Sequence, residues 1–344
     1  MQDTMQAIRL HPAPSSTDPY SPSNPAPLTA LQLDHEIPIP VLSALGELLV
    51  RVKASTVIRD MLTWPETYSH EYIIPGHDVA GIVTKVFSPE SRFKPGDEVF
   101  GMANADRAGT WAEYTIMKED EVTLKPASLT FAQAAALPLS AQTAYEALFV
   151  HARLPAPPNF EGVPSQYAAG SKAQCVLITG AAGAVGLYLV QLARAANLQV
   201  IAASSSNLRN EEFLRNLGAD EVVEYSALDK YTGQFDVIID AVGGEVLEKC
   251  WNYLAETGTL ISVDSASFDF VREHESRGLR KAGVHALFFI IKGSQAALRC
   301  VADQVASGAV RPFVAETYPL ERVREAYDVA NSRMSARGKV ILTL

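Results

Sequence analysis

Residues 180–186 read Gly-Ala-Ala-Gly-Ala-Val-Gly. Ala181, Gly183 and Gly186 stand at the three spacings of a G-x-G-x-x-G loop, with alanine in the first place. Small residues at these points let the backbone of Ala182, Gly183, Ala184, Val185 and Gly186 come close to an anion. A helix starting there adds free N–H groups and the positive end of its dipole. The ligand such a loop suits is a diphosphate. A tight strand–helix turn that binds nothing would use the same glycines, so the flanks decide. Residues 174–179 (QCVLIT) are an apolar run with the length of a buried strand, and 185–197 are helical by pattern. That setting is the one a dinucleotide loop requires.

The second strand, 199–203, leads into Ser204-Ser205-Ser206-Asn207-Leu208-Arg209. A site for NADH carries Asp or Glu at this place, on the ribose 2′-hydroxyl. Here the first carboxylate is Glu211. Ser204, Ser205 and Arg209 offer hydroxyls and a bidentate cation, which suit a 2′-phosphate. The expected coenzyme is therefore NADPH, although a solvated polar loop would read the same way.

The elements that must hold these groups fall into two sets. Up to about residue 130 the chain alternates apolar and polar residues in short runs: 47–54, 78–87, 98–101 and 111–117 read as strands, with Lys94-Pro95-Gly96-Asp97 as a turn. A Pro/Ser-rich run ahead of them, HPAPSSTDPYSPSNPAP, reads as a surface excursion such as a long hairpin loop. Residues 130–150 are helical with a break at Pro138, and 155–170 read as a loop. Strands at 174–179, 199–203, 221–224, 237–240, 259–263 and 286–291 then alternate with helices, among them 210–217 ended by Gly218. This is the pattern of a doubly wound parallel sheet. A helix at 320–333 and a strand at 338–344 close the chain.

Composition narrows the partners. The formal net charge of −10 with no Lys/Arg block disfavours nucleic acid, and no apolar stretch approaches bilayer length. Three well-separated cysteines without CxxC, and an opening segment without an apolar signal core, make a reducing cytoplasmic setting the expectation.

The chain resembles the medium-chain dehydrogenase/reductase superfamily, in its zinc-independent quinone-oxidoreductase-like and enoyl reductase branch. The matching stretches are IPGHDVAGIV (74–83), FKPGDEVFGM (93–102), the run 109–148, VLITGAAGAVGLYLVQLA (176–193), LGADEVVEY (217–225), FDVIIDAVGG (235–244) and RGKVILTL (337–344). The resemblance implies an α/β fold with a GroES-like β domain (1–140 and 311–344) and a Rossmann domain (141–310), with the active site in a cleft. It implies Thr143 beside the nicotinamide, Val242 in the coenzyme site, Tyr225 near the 2′-phosphate, the backbone at Phe288 on the carboxamide, and a homodimer edge at 286–291. Zinc-dependent relatives carry ligands where this chain has Val57, His77 and Leu139; with two of three aliphatic, no metal is expected.

Without zinc, hydride is expected to go from NADPH to a small electron-poor acceptor, a quinone or an α,β-unsaturated carbonyl compound. Asp60 and Tyr68 lie in the segment that lines the substrate side in the resembled family, and Tyr68 is the candidate proton donor to a developing enolate. Wall packing serves both residues equally. Trp64 and Tyr68 suggest a flat aromatic pocket. Alternatives of narrower or different kind are a dedicated ene reductase of a polyketide-like pathway and a non-catalytic NADPH-binding regulatory protein, since fold and coenzyme site do not fix activity.

Overall fold

The computed structural model describes residues 3–344 apart from 16, 105, 106, 108, 158–173 and 333. Most of the loop expected at 155–170 therefore lies outside the described residues. The chain divides into two compact units, one of Met1–Leu139, Lys292–Ala306 and Arg311–Leu344, the other of Ser140–Ile291 and Ser307–Val310.

The first unit opens with an antiparallel hairpin of β1 (Thr4–Leu10) and β2 (Leu31–Pro38). The Pro-rich run is its loop, which keeps the prolines out of the ladder. β3 (Glu47–Val57), β4 (Asp78–Val86) and β5 (Glu98–Met102) follow as an antiparallel meander. Leu48, Val50 and Val52 of β3 are buried, as the alternation of that stretch requires. β6 (Tyr114–Lys118) pairs with β3 and β7 (Val122–Leu124) with β5. The strand expected from 111 begins only at Tyr114. Trp111 is instead fully buried, its indole N–H donating to the Thr56 carbonyl at 3.0 Å. The Trp111 carbonyl accepts from the Ile8 N–H at 2.8 Å and Ala112 bridges Ala7, so this stretch pairs with β1 before β6 begins on β3.

Thr130 and Gln133 form a capping box that starts α1 (Phe131–Ala135). Pro138 opens α2 (Pro138–Tyr145), where its missing N–H costs nothing, and a π-helical turn, Glu146–His151, continues it.

The second unit is a βα alternation: β8 (Cys175–Ile178), α3 (Gly186–Ala195), β9 (Gln199–Ser204), α4 (Asn207–Leu217), β10 (Glu221–Glu224), β11 (Phe235–Asp240), α5 (Gly244–Tyr253), β12 (Leu254–Ser262), α6 (Phe270–Ser276) and β13 (His285–Phe288). The six strands are all parallel in the order β10-β9-β8-β11-β12-β13. The chain leaves β8 in opposite directions to β9 and later to β11, so the switch point lies at the end of β8, where open α/β sheets hold ligands. Trp251, Tyr253, Phe235 and Phe270 fill the core on one side, each worth roughly 2–3 kcal/mol of burial. The strand expected over 286–291 ends at Phe288. Phe289 turns out of the ladder to pack on His151, with ring centroids 4.2 Å apart.

The chain returns to the first unit with α7 (Gln295–Ala306), β14 (Val314–Pro319), α8 (Val323–Asn331) and β15 (Lys339–Thr343). The sequence expectation assigns 292–306 to the 141–310 stretch; the contacts group it with the first unit, where the Gln295 amide donates to the Glu119 carbonyl at 3.2 Å. The parallel pair β14–β15 joins β3 to give the order β14-β15-β3-β4-β5-β7, with β6 alongside β3. Among the described residues no helix is long and apolar enough to cross a membrane.

At the start of β4 the Asp78 carboxylate is fully buried. It accepts from Thr56 Oγ1 at 2.5 Å and from the Leu139 N–H at 2.6 Å, and Lys339 Nζ lies 3.5 Å away, itself buried. The pair links β4, β15 and the first turn of α2. Replacing one partner leaves an uncompensated buried charge. Lys339→Met is expected to destabilise the protein by about 3 kcal/mol, read as a lowered denaturant midpoint; an unchanged midpoint would show that the pair holds nothing together.

Candidate functional site

The loop after β8 is shaped by two glycines. Gly180 has φ +62°, a left-handed turn that leads the chain away from Thr179. A Cβ on Gly186 would stand 2.1 Å from the Gly180 carbonyl oxygen, so only glycine lets α3 begin this close to the strand end. The Gly183 N–H donates to Gly180 O at 2.8 Å and closes the turn. Gly183 and Ala184 are exposed; Ala182 and Val185 are half-buried. The N–H groups of Ala182, Ala184, Val185 and Gly186 have no acceptor among the described residues. They converge at the positive end of a ten-residue helix. This is the donor set that a diphosphate requires, and the residues present fit one.

Tyr225 lies against this loop. Its hydroxyl oxygen accepts from the Gly180 N–H at 3.0 Å, and burial pushes the phenol above its usual range, so it remains neutral. Ser204 points inward: it is buried, and its hydroxyl accepts from Asn210 Nδ2 at 3.2 Å. Its hydroxyl thus ties the end of β9 to the first turn of α4. Ser205 and Arg209 are exposed, with Arg209 Nη2 3.4 Å from Ser205 Oγ. One carboxylate that the 204–209 stretch does not contain arrives from the neighbouring strand. Glu224 Oε1 accepts from the Asn207 N–H at 2.7 Å, at the first residue of α4.

Val242 is partly exposed beyond β11, close to Gly180. Its loop is organised by Asp240, a residue quoted within a matching stretch but given no role by the sequence reading. Asp240 is fully buried and accepts from Thr179 Oγ1 at 2.5 Å, the Gly243 N–H at 2.9 Å and Ser262 Oγ at 3.1 Å. An acid at the end of a β-rich apolar run (FDVIID) is the one available signal for it. Phe288 is half-buried at the end of β13, paired across the ladder with Ser262. Thr143 lies buried on α2.

Asp60 and Tyr68 belong to the first unit. The Tyr68 hydroxyl donates to the Leu62 carbonyl and accepts from the Ala26 N–H at 3.0 Å, and burial pushes its phenol upward. Its proton is committed to the backbone, and its role is to fasten the Pro-rich loop to the 61–64 turn. Asp60 is exposed, in a left-handed conformation, with its N–H on Asn331 Oδ1 and its carboxylate 3.2 Å from Arg59 Nε. His77 is buried, which pushes its imidazole below the usual range and keeps it neutral; it is hydrogen-bonded to the Ala103 backbone. Trp64 packs near it, ring centroids 6.0 Å apart, and a small cavity opens between Met61, Glu66, Thr67, Ile73, Gly76 and His77. Val57 and Leu139 supply no ligand, and among the described residues no group of three or more His, Cys, Asp or Glu side chains is placed to hold a metal ion.

Two family models match the chain: an alcohol dehydrogenase GroES-like domain over 44–127 and a zinc-binding dehydrogenase over 217–342. The chain is 34% identical to the probable zinc-binding oxidoreductase, mitochondrial, of Arthroderma benhamiae, over 86% of this chain and 88% of that one. It is 30% identical to the quinone oxidoreductase of Pongo abelii over 91% and 93%, and 28% identical to the NADPH-dependent alkenal/one oxidoreductase, chloroplastic, of Arabidopsis thaliana over 91% and 75%. With a GroES-like β domain, a Rossmann sheet and relatives at this level over most of both chains, the protein belongs to the medium-chain dehydrogenase/reductase superfamily, in its quinone-oxidoreductase-like branch.

Proposed function

We propose that this protein is an NADPH-dependent reductase that passes hydride to a quinone or an α,β-unsaturated carbonyl compound without a metal. That it is an NAD(P)H oxidoreductase acting on small molecules follows from its family. The observation that carries the finer reading is the set of unpaired amides at the start of α3, with Ser205 and Arg209 exposed beyond the neighbouring strand. The amides of Ala182, Ala184, Val185 and Gly186 hold the diphosphate, and Gly183, its own N–H closing the turn, lets the backbone approach it. Ser205 and Arg209 grip the 2′-phosphate, while Glu224 is engaged by the Asn207 N–H at the start of α4. Tyr225 supports the loop through Gly180, and Thr143, Val242 and Phe288 border the nicotinamide half. NADPH, when bound, supplies the hydride.

The acceptor class follows from what is missing as a ligand set. With Val57 and Leu139 beside His77, nothing replaces zinc in lowering the pKa of an alcohol, so an already electron-poor carbon is the better partner. The names of the quinone and alkenal/one relatives support both acceptor types. Asp60 and Tyr68 take no part in this proposal.

Steady-state oxidation of NADPH and NADH with a panel of quinones and enones tests it. We expect a preference for NADPH that Arg209→Ala reduces roughly tenfold through KM, since a charge-assisted bond is lost; equal use of NADH by the unaltered protein would reject the coenzyme choice. Turnover is expected to survive exhaustive chelation, and stoichiometric zinc in elemental analysis would reject metal independence.

We also propose that two copies pair through β13, which ends the sheet among the described residues and has exposed Ile290 beyond it. Light scattering at micromolar concentration should give twice the chain mass; a monomer would refute the pairing.

A further inference from the structure

Three adjacent strands, β8, β11 and β12, end at one buried carboxylate that the coenzyme reading does not use. Asp240 Oδ1 accepts from Thr179 Oγ1, the residue just before Gly180, and Oδ2 accepts from the Gly243 N–H and from Ser262 Oγ. The network is reciprocal. Thr179 Oγ1 accepts from the Ala241 N–H at 3.2 Å, and the Asp240 carbonyl accepts from the Val263 N–H at 2.8 Å. It also runs outward along the turn after β12. Ser262 Oγ accepts from the Asp264 N–H at 3.3 Å, and Asp264 Oδ2 accepts from Ser267 Oγ at 2.8 Å. Gly243 packs so tightly here that a Cβ would stand 2.3 Å from Asp264 Oδ2.

A buried carboxylate is a costly way to join three strands, because desolvation disfavours its charge; burial pushes Asp240 above the usual carboxylate range even with its donors in place. An apolar residue would pack the same space without that cost. What the carboxylate adds is direction: two oxygens accept from donors on three separate chain segments and so fix their mutual geometry.

We propose that Asp240 is a positioning residue that couples the two halves of the coenzyme site. Through Thr179 it sets the Gly180–Gly186 loop. Through Ser262 it sets the turn beyond β12 and the register of Phe288 opposite it. Val242 lies between these two arms, on the loop that the Gly243 N–H anchors. The inference rests on the reading of the Gly180–Gly186 loop as the diphosphate site.

The two arms make the proposal testable with single hydroxyl deletions in the full chain, which leave the carboxylate in place. NADPH affinity is read by fluorescence titration, kcat by turnover of the best quinone or enone, and thermal midpoint without coenzyme. Thr179→Val is expected to raise the NADPH Kd about tenfold while kcat at saturation falls by about twofold or less. Ser262→Ala is expected to do the reverse, lowering kcat about tenfold with about a twofold change in Kd or less. Thr179→Ser, which keeps the hydroxyl, should restore the Kd, and Asp240→Asn should show both defects. If Thr179→Val and Ser262→Ala shift Kd and kcat in the same proportion, tracking only the drop in midpoint, or if Thr179→Ser fails to rescue, Asp240 is a structural brace and the proposal falls while the coenzyme assignment stands. If the unaltered protein binds neither NADPH nor NADH, both fall together.

Discussion

The second unit is organised around amides that have no acceptor among the described residues. Gly186 brings α3 against the end of β8, and the turn this forces uses the Gly183 N–H internally but leaves its neighbours facing outward. Unsatisfied N–H groups at a helix start are tolerable in water and become an asset when an anion replaces the water. The sheet order puts this opening where consecutive strands diverge, and the crossover helices on both faces keep its floor apolar. The parallel sheet, the switch point and the glycine spacing are thus one arrangement, and it is here that we propose the coenzyme's diphosphate sits.

Much of this was legible in the sequence, for local reasons. A buried strand, a small-residue loop and a helical period occur within about twenty residues at 174–197, and each signal is carried by neighbours in the chain. The antiparallel strands of the first unit were legible for the same reason, through alternation. The resemblance then supplied the two-unit plan, which composition alone does not.

What escaped the reading depends on contacts between distant segments. The acid at the start of α4 was sought within 204–209, but Glu224 comes from the adjacent strand. Ser204 looks like a ligand group in a row of three serines; its hydroxyl accepts from Asn210, six residues on. Tyr68 sits in a segment expected to face substrate, yet its hydroxyl is claimed by backbone groups at Leu62 and Ala26, and nothing local signals a partner 42 positions away. Asp240 joins residues from 179 to 262. The strand expected from 111 is divided between two partners, with Trp111 and Ala112 bonded to β1 and β6 beginning on β3 only at Tyr114. The common cause is that hydrogen-bond partners of polar side chains, unlike hydrophobic periodicity, are not encoded in spacing.

The placement of β15 between β14 and β3 has a consequence for biogenesis. The second unit is nearly contiguous, so its strands can pair as soon as they leave the ribosome. The first unit is divided by that insertion: β3 waits for a neighbour some 280 residues downstream, and the buried carboxylate at 78 has no counter-charge until residue 339 emerges. Its sheet therefore stays open along one edge until β15 has been made, and the closing event is the docking of that late strand. Loss of β15 would reopen that edge, which makes a strand translated late the checkpoint on which the early strands depend.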